Sequence, residues 1–294
     1  MELIYGFDNP NIMNGQKKEP TITILISTID ERIEDVKKVL LNPRDDVEYI
    51  ISHQYTEQAH KKVPPELKRN DVMVSQIEGK GVSRSRNNAI KLASGDIALM
   101  SDDDVTYQNS YIDVVKKSFY DNPDMDVGIF KIKTKAGEPE YKPYPEYQLE
   151  LKKKLFSVST IEIAFDVKKI IESSICFDER FGAGEELLIG SEETIFIEDC
   201  LKEGLKVVFV PEYIVEHPYT STVNTIPKFD KRLNWITGAY DCRKNGRIAL
   251  LKAFGGTFKK LPELLRHKVN PLSYLYHRLS AVIYILRTDK KKDK

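Results

Sequence analysis

Gly81 to Val105, GVSRSRNNAIKLASGDIALMSDDDV, places a helix, a turn, a strand and an acidic cluster in one unbroken stretch. Ser83 to Ser94 reads as a helix closed by Gly95. Ile97 to Ser101 has the length and residue types of a buried strand. Asp102, Asp103 and Asp104 follow it directly. Carboxylates stacked at a strand end repel one another unless a cation or a proton neutralises them. Oxygen donors with no Cys and few His nearby favour a hard divalent ion such as Mg or Mn. The plainer alternative is a solvated acidic turn that caps the next helix. On the helix, Val82, Ala89, Ile90 and Ala93 share one face, and Arg86 lies on it in the first turns. A guanidinium there wants an anion, either a bound diphosphate or an internal partner such as Asp96 or Asp102.

On both sides of this stretch, strands and helices alternate. Thr21–Ser27 reads as a strand and precedes a helix whose buried face is Ile33, Val36, Val39 and Leu40. Val47–Ser52 and Asp71–Gln76 read as strands, and Tyr111–Tyr120 as a helix. Gly137–Tyr147, rich in Pro and Tyr, reads as a loop or substrate lid. A strand near Thr160–Phe165, a helix near Val167–Glu172, a Gly-rich loop (Phe181-Gly182-Ala183-Gly184), a helix from about Glu192 to Glu203 and a strand from Lys206 to Val210 complete the pattern. This rhythm predicts an α/β domain with a mostly parallel sheet flanked by helices. Ligands bind such sheets beyond the carboxyl ends of the strands, where the aspartates fall. Three segments are expected: an irregular lead-in (1–20), a catalytic domain (21–227) and a basic, amphipathic helical module (228–294).

With 294 residues, 41% of them hydrophobic, the chain can bury a substantial core. Cys176, Cys200 and Cys242 have no metal or redox spacing, which fits a reducing cytoplasm and packing in the core. The start, Met1-Glu2-Leu3-Ile4-Tyr5-Gly6, lacks a basic n-region and an apolar h-region, so no signal peptide is expected. No run approaches the roughly 18 apolar residues of a membrane span. The zero net charge conceals segregation: residues 228–294 carry 17 Lys/Arg against 5 Asp/Glu. A basic module on an acidic domain suggests an anionic partner. In Pro271–Arg287, the residues Leu272, Leu275, Tyr276, Leu279, Val282, Ile283 and Leu286 form an apolar helical stripe. That stripe either packs on the catalytic domain or meets an anionic membrane surface. No nucleic-acid motif accompanies the charge, so no nucleic-acid partner is expected.

Four segments together resemble glycosyltransferase family 2, the inverting nucleotide-sugar transferases of GT-A fold. They are ITILIST with Asp30, GVSRSRNNAIKLASGDIALMSDDDV, FDERFGAGEELLIGSEETIFIEDCLKEG and VVFVPEYIVEHP. The resemblance implies a Rossmann-like GT-A sheet with a C-terminal helical extension, and it implies roles residue by residue. Asp102 and Asp104 would hold Mn2+ or Mg2+, with His217 approaching from the far side. Asp103 would contact ribose or donor sugar, Arg86 would line the nucleotide pocket, and Thr28 and Asp30 would touch base or ribose. Glu193 would be the catalytic base and Glu192 its support. Bland readings stand beside these: Asp30 is placed to N-cap the next helix, and Glu192 and Glu193 suit a helix first turn.

The implied reaction moves one sugar from a nucleotide-sugar, a UDP-sugar first, to a hydroxyl of a saccharide or lipid-linked saccharide. The expected setting is cytoplasmic, peripheral on the inner membrane face. Ser52-His53-Gln54 stands where the family carries acids, which leaves the choice among UDP, GDP and dTDP open. Trp235 follows Arg232-Leu233-Asn234, so the Gln-x-x-Arg-Trp motif of processive members is absent and a non-processive enzyme is expected. Two other classes are weighed. A nucleotidyltransferase would carry a Gly-rich phosphate loop where this chain has STIDER, and a non-catalytic binding module would not need Asp102, Asp104, Glu193 and His217 intact.

Overall fold

The structure, a computed structural model, describes residues 12–13, 16–17, 19–152, 157–219 and 226–292. Most of the 1–20 lead-in lies outside the described residues. Its described part is a hairpin of β1 (Ile12–Met13) and β2 (Gln16–Lys17) rather than irregular chain.

The other strands are β3 (Ile22–Ile29), β4 (Val47–Tyr55), β5 (Val72–Glu78), β6 (Ile97–Asp102), β7 (Val127–Lys133), β8 (Leu149–Leu151), β9 (Ile163–Asp166) and β10 (Val207–Glu216). Among the described residues they form one eight-stranded sheet in the order β5-β4-β3-β6-β9-β7-β10-β8. β5, β4, β3 and β6 run parallel, β9 is antiparallel to β6 and β7, β10 is parallel to β7, and β8 is antiparallel to β10. Alternate residues of the central strands enter opposite layers, as the pleat requires. Ile22, Ile24, Ile26, Ile97 and Leu99 meet the helix α2 (Asn109–Asp121) through Ile112, Val115 and Phe119. Leu25, Ala98 and Met100 join Ala89 and Ile90 of α1 (Val82–Leu92), Ile170 of α3 (Val167–Glu172), and Phe196, Ile197 and Cys200 of α4 (Glu192–Lys202). This is an α/β fold with helices on both faces of the sheet.

Three details depart from expectation. The segment after β3 is 3-10 helix, Asp30–Glu34 and then Val36–Lys38, rather than α-helix. Its buried residues Ile33, Val36 and Val39 repeat every three positions, the period of a 3-10 turn. β7 and β8 carry no expected strand, because Gly128 and the short Leu149–Leu151 run blur their pattern. Cys176 is exposed, whereas Cys200 and Cys242 are packed in the core.

The C-terminal extension comprises α5 (Lys231–Asn245), α6 (Ala249–Arg266) and α7 (Pro271–Lys292). The expected α7 stripe is corrected. Tyr274, Arg278, Ala281, Val282 and Ile285 face inward, while Leu272, Tyr276 and Ile283 are exposed. Backbone proximity set the buried face: a Cβ on Gly238 would lie 2.5 Å from the Arg278 carbonyl oxygen, and one on Gly256 would lie 2.8 Å from its guanidinium. Arg278 is neutralised by Asp241 of α5. Ala281, Val282 and Ile285 then pack with Phe181, Leu188 and Ile195 of the α/β half. Part of the charge segregation is resolved internally, since Arg243 reaches Asp178 (3.0 Å) and Asp199 (2.8 Å), and Lys244 pairs with Glu198. No helix of the described residues is long and apolar enough to cross a membrane. The ends of the Lys290–Lys294 tail, Asp293 and Lys294, lie outside the described residues.

Candidate active site

The polar run Ser83-Arg84-Ser85-Arg86-Asn87-Asn88 on α1 is largely buried, and the backbone it meets explains why. Ser83 donates to the Phe181 carbonyl (2.6 Å), and Ser85 donates to the Ser52 carbonyl (3.0 Å). Asn87 clamps Phe177 from both sides, donating to its carbonyl (2.9 Å) and accepting from its N–H (2.8 Å). The Phe177 ring stacks on Phe196 of α4 at 4.4 Å. These contacts hold the Gly-rich loop against the α1 N-terminus. Gly182, at φ +116°, is required there, because a Cβ would lie 2.6 Å from Val82. Sequence reading missed Asn87. Its signal was a polar residue on an otherwise inward helix face.

Arg86 is buried and joins two acids that are distant in sequence. One guanidinium nitrogen lies 2.9 Å from Glu192 Oε1, and the other lies 3.3 Å from Asp102 Oδ1. The internal-partner reading of Arg86 therefore holds for Asp102, with Glu192 added. Asp96 instead accepts from Thr21. Glu192 and Glu193 open α4, whose N-terminal dipole favours acids. Burial, and next the neighbouring Glu192 carboxylate, push the Glu193 carboxyl up to about 8. A carboxyl raised to that level suits a proton acceptor at neutral pH.

The second and third aspartates face another cation. Both carboxylate oxygens of buried Asp103 are engaged by Arg32, at 2.9–3.0 Å from Nε, and Thr28 donates to Asp103 at 2.7 Å. Arg32 also reaches Asp104 (3.1 Å). Nothing in the sequence pattern singled out Arg32, since its partner lies 71 residues away, in the turn after β6. Asp104 further meets His217, Nε2 to Oδ1 3.5 Å. An isolated bridge between Thr106 and Glu216, with both N–H···O bonds at 2.9 Å, clamps the acidic turn to the end of β10 and so delivers His217. The hydrogen bond to His217 holds the Asp104 carboxyl below its ordinary range and raises the imidazole. Burial, reinforced by Asp104 and Asp103, raises Asp102 despite Arg86.

Asp30 is not an N-cap. Ile29 occupies that position without a side-chain cap, and Asp30 takes a left-handed φ of 50°. Burial opposes ionisation of Asp30, but the Thr56 N–H (2.7 Å) and His60 (2.9 Å) win, and its carboxyl sits below the usual value. Buried His53 holds this backbone: its Nε2 lies 3.0 Å from the Asp30 carbonyl, while Gln76 lies 3.1 Å from its Nδ1. The neutral ring is further favoured by burial. Four buried polar atoms near these strand ends, Ser27 Oγ, Gln54 Nε2, Arg86 Nε and Glu192 Oε2, have no partner among the described residues. Orphaned buried polar groups suit a polar ligand.

Asp102, Asp104 and His217 fit a hard or borderline divalent ion by donor chemistry, with both carboxylates over a third exposed. Their ligand atoms do not converge as a ready trio, because Arg86 draws one acid and Arg32 the other. Among the described residues the trio with mutually close ligand atoms is Asp30, Glu31 and His60, where the ring bridges two acids as an ion pair. The Gly137–Tyr147 segment is irregular, as expected, and is pinned to buried Glu162 by Lys142 (2.5 Å) and Tyr144 (2.6 Å). It sets Tyr141 edge-on to His217, with ring centroids 5.9 Å apart.

Comparison with known proteins relates the fold, and part of the sequence, to a family. The crystal structure of S. aureus TarS 1-349 in complex with UDP-GlcNAc matches with a TM-score of 0.55 and 15% identity, over 76% of this chain and 66% of that one. TarS 1-349 alone matches at 0.53 and 14% identity, over 93% and 92% of the two chains. A further TarS structure matches at 0.51 and 16%, over 75% of this chain and 39% of its own. This chain thus spans less than two thirds of the first and the last of these structures. At such identities the likeness is one of fold. The search of curated protein sequences found no match. Residues 26–170, which include β3, Arg86 and the three aspartates, match the profile of Glycosyl transferase family 2. This chain therefore carries a glycosyltransferase family 2 domain.

Proposed function

We propose that this protein is a metal-dependent, inverting glycosyltransferase that moves a single sugar from a nucleotide-sugar to a hydroxyl of a saccharide or lipid-linked saccharide. The observation that carries the reading is the Arg86 bridge, which couples the strand-end Asp102 to Glu192 beside the elevated Glu193. A donor-side charge cluster and a base are thereby joined through one buried cation. UDP is the favoured nucleotide, because the matched TarS structure holds UDP-GlcNAc. In this reading Asp102, Asp104 and His217 hold Mn2+ or Mg2+. Such an ion, when bound, supplies positive charge against a leaving diphosphate. Arg86 adds a fixed charge on the same side. Glu193 accepts the acceptor hydroxyl's proton as the new glycosidic C–O bond forms and the C–O bond to the diphosphate breaks. A single displacement of this kind inverts the anomeric centre. The C-terminal helices bring the enzyme to an anionic membrane surface on the cytoplasmic side, where a lipid-linked acceptor would lie.

The test is a panel of UDP-, GDP-, dTDP- and CMP-sugars with and without Mn2+, read by thermal shift and nucleotide release. A UDP-sugar is expected to bind and turn over, and Glu193→Gln should bind it normally while losing at least about 100-fold in rate. Binding of no nucleotide-sugar, or normal turnover by Glu193→Gln, overturns the reading.

A further inference from the structure

Helix α6 is apolar on two opposite faces. Ala249, Ala253, Thr257 and Leu264 turn inward and are buried. Leu251, Phe254, Phe258 and Leu265 fall within about 60° of one another on the other side, at the 100° step of an α-helix. These four are 74%, 54%, 80% and 61% exposed. Lys252, Lys259 and Arg266, spaced seven apart, run as a row along one edge of this ribbon and make no ion pair among the described residues. The one acid of α6, Glu263, is turned to Lys228. The contrast with α5 is direct, since Arg243 and Lys244 there are paired with the catalytic half. Met73, Tyr147 and Ile171 are scattered, whereas Leu272, Tyr276 and Ile283 form a second exposed row on α7. A contiguous ribbon marks an interaction surface.

We propose that the outer face of α6 docks onto an anionic lipid bilayer, an inference that rests on the membrane-surface reading above and assigns its contact. A helix lying flat at the interface puts Leu251, Phe254, Phe258 and Leu265 at the acyl boundary, while Lys252, Lys259 and Arg266 sit at headgroup level. The charge pattern argues against a second copy of this chain as the occupant. Self-association through the same face would bring two unneutralised cation rows together without an acid between them. The expected α7 stripe is split, with Val282 fully buried and Leu272, Tyr276 and Ile283 exposed.

The test is co-sedimentation of the full chain with phosphatidylglycerol/phosphatidylcholine vesicles and with phosphatidylcholine vesicles, at low and high salt. Wild type is expected to bind the anionic vesicles and to be released as salt rises, since exposed charges are screened over about 10 Å at 0.1 M. Phe254→Ser/Phe258→Ser should lose at least about ten-fold in partitioning. Lys252→Gln/Lys259→Gln/Arg266→Gln should lose the preference for anionic lipid. Both should melt with wild type, as the altered side chains are exposed, and should keep sugar-nucleotide turnover. Unchanged vesicle binding by both variants overturns the α6 assignment while leaving the membrane reading intact. Failure of wild type to bind anionic vesicles at low salt overturns the membrane reading and this inference with it. A sedimentation-equilibrium mass that falls in Phe254→Ser/Phe258→Ser, without vesicle binding by wild type, assigns the face to a second copy instead.

Discussion

Arg86→Met isolates the charge bridge at the centre of the site. The substitution keeps an unbranched side chain against the Phe177 ring, whose centroid lies 5.6 Å from the guanidinium carbon. It removes the cation between Glu192 and Asp102. Breaking a buried pair by deleting one partner costs about 3–5 kcal/mol, because the other charge stays buried. Only the Glu192 side counts in full, since that side chain is 9% exposed whereas Asp102 is 36% exposed and recovers water. The lower end, about 3 kcal/mol, is therefore expected. The sign of the pH dependence follows. In wild type the raised Glu193 carboxyl already holds a proton at neutral pH. Without Arg86 the buried acidic site loses its cation and must take up a further proton when folded, whereas unfolded glutamates titrate at about 4.3. The folded variant then binds more protons than the unfolded chain, so its stability falls as pH rises. Its deficit against wild type is greatest at neutral pH and shrinks toward about pH 5. Urea denaturation at both pH values measures this. Arg86→Met/Glu192→Gln should recover part of the loss, because it removes the orphaned acid. A neutral-pH deficit under about 1 kcal/mol, or one independent of pH, would refute the bridge as an electrostatic element.

Three further outcomes are expected. Asp102→Asn and Asp104→Asn should each abolish Mn-dependent binding of UDP by calorimetry while the fold persists, and unchanged affinity in both would remove the metal assignment. The pH profile of kcat/KM should show an acid limb that falls tenfold per unit below about 8, where Glu193 takes up its proton, and Glu193→Gln should be slow and lack that limb. Ile285→Ala should destabilise the whole protein by about 2–5 kcal/mol in a single urea transition, because this fully buried α7 residue packs with Phe181 and Ile195. A separate early transition would instead mean that the C-terminal helices unfold independently.

Much of the sheet was legible because parallel strands buried on both faces are continuous apolar runs, as in Ile22–Ile26 and Ile97–Met100. β7 was hidden by Gly128 at its start and by Lys131 and Lys133 near its end. The 3-10 segment after β3 was misjudged in type though not in burial, since three-residue spacing satisfies both helix periods over one or two turns. Within the site, residues contiguous in sequence were found readily: Asp102, Asp103 and Asp104, or Glu192 with Glu193. Arg32 and Asn87 were not, because each acts on a partner brought in by the sheet or by the segment ahead of the Gly-rich loop, and a local pattern carries no such information.

The basic C-terminus shows the same limit at larger scale. A count of charges records how many cations a segment holds and is silent on where they point. Arg243, Lys244 and Arg278 neutralise Asp178, Asp199, Glu198 and Asp241 and are structural. Lys252, Lys259 and Arg266 belong to the same excess and face outward beside an apolar ribbon. What separates the two sets is the helix face they occupy. On α7 that face was decided by glycines on α5 and α6 that admit the backbone and guanidinium of Arg278, so hydrophobicity alone selected the wrong stripe. Burial of a small-residue seam outcompeted burial of Leu272, Tyr276 and Ile283 because close helix approach packs more atoms per turn than a ridge of large side chains can reach.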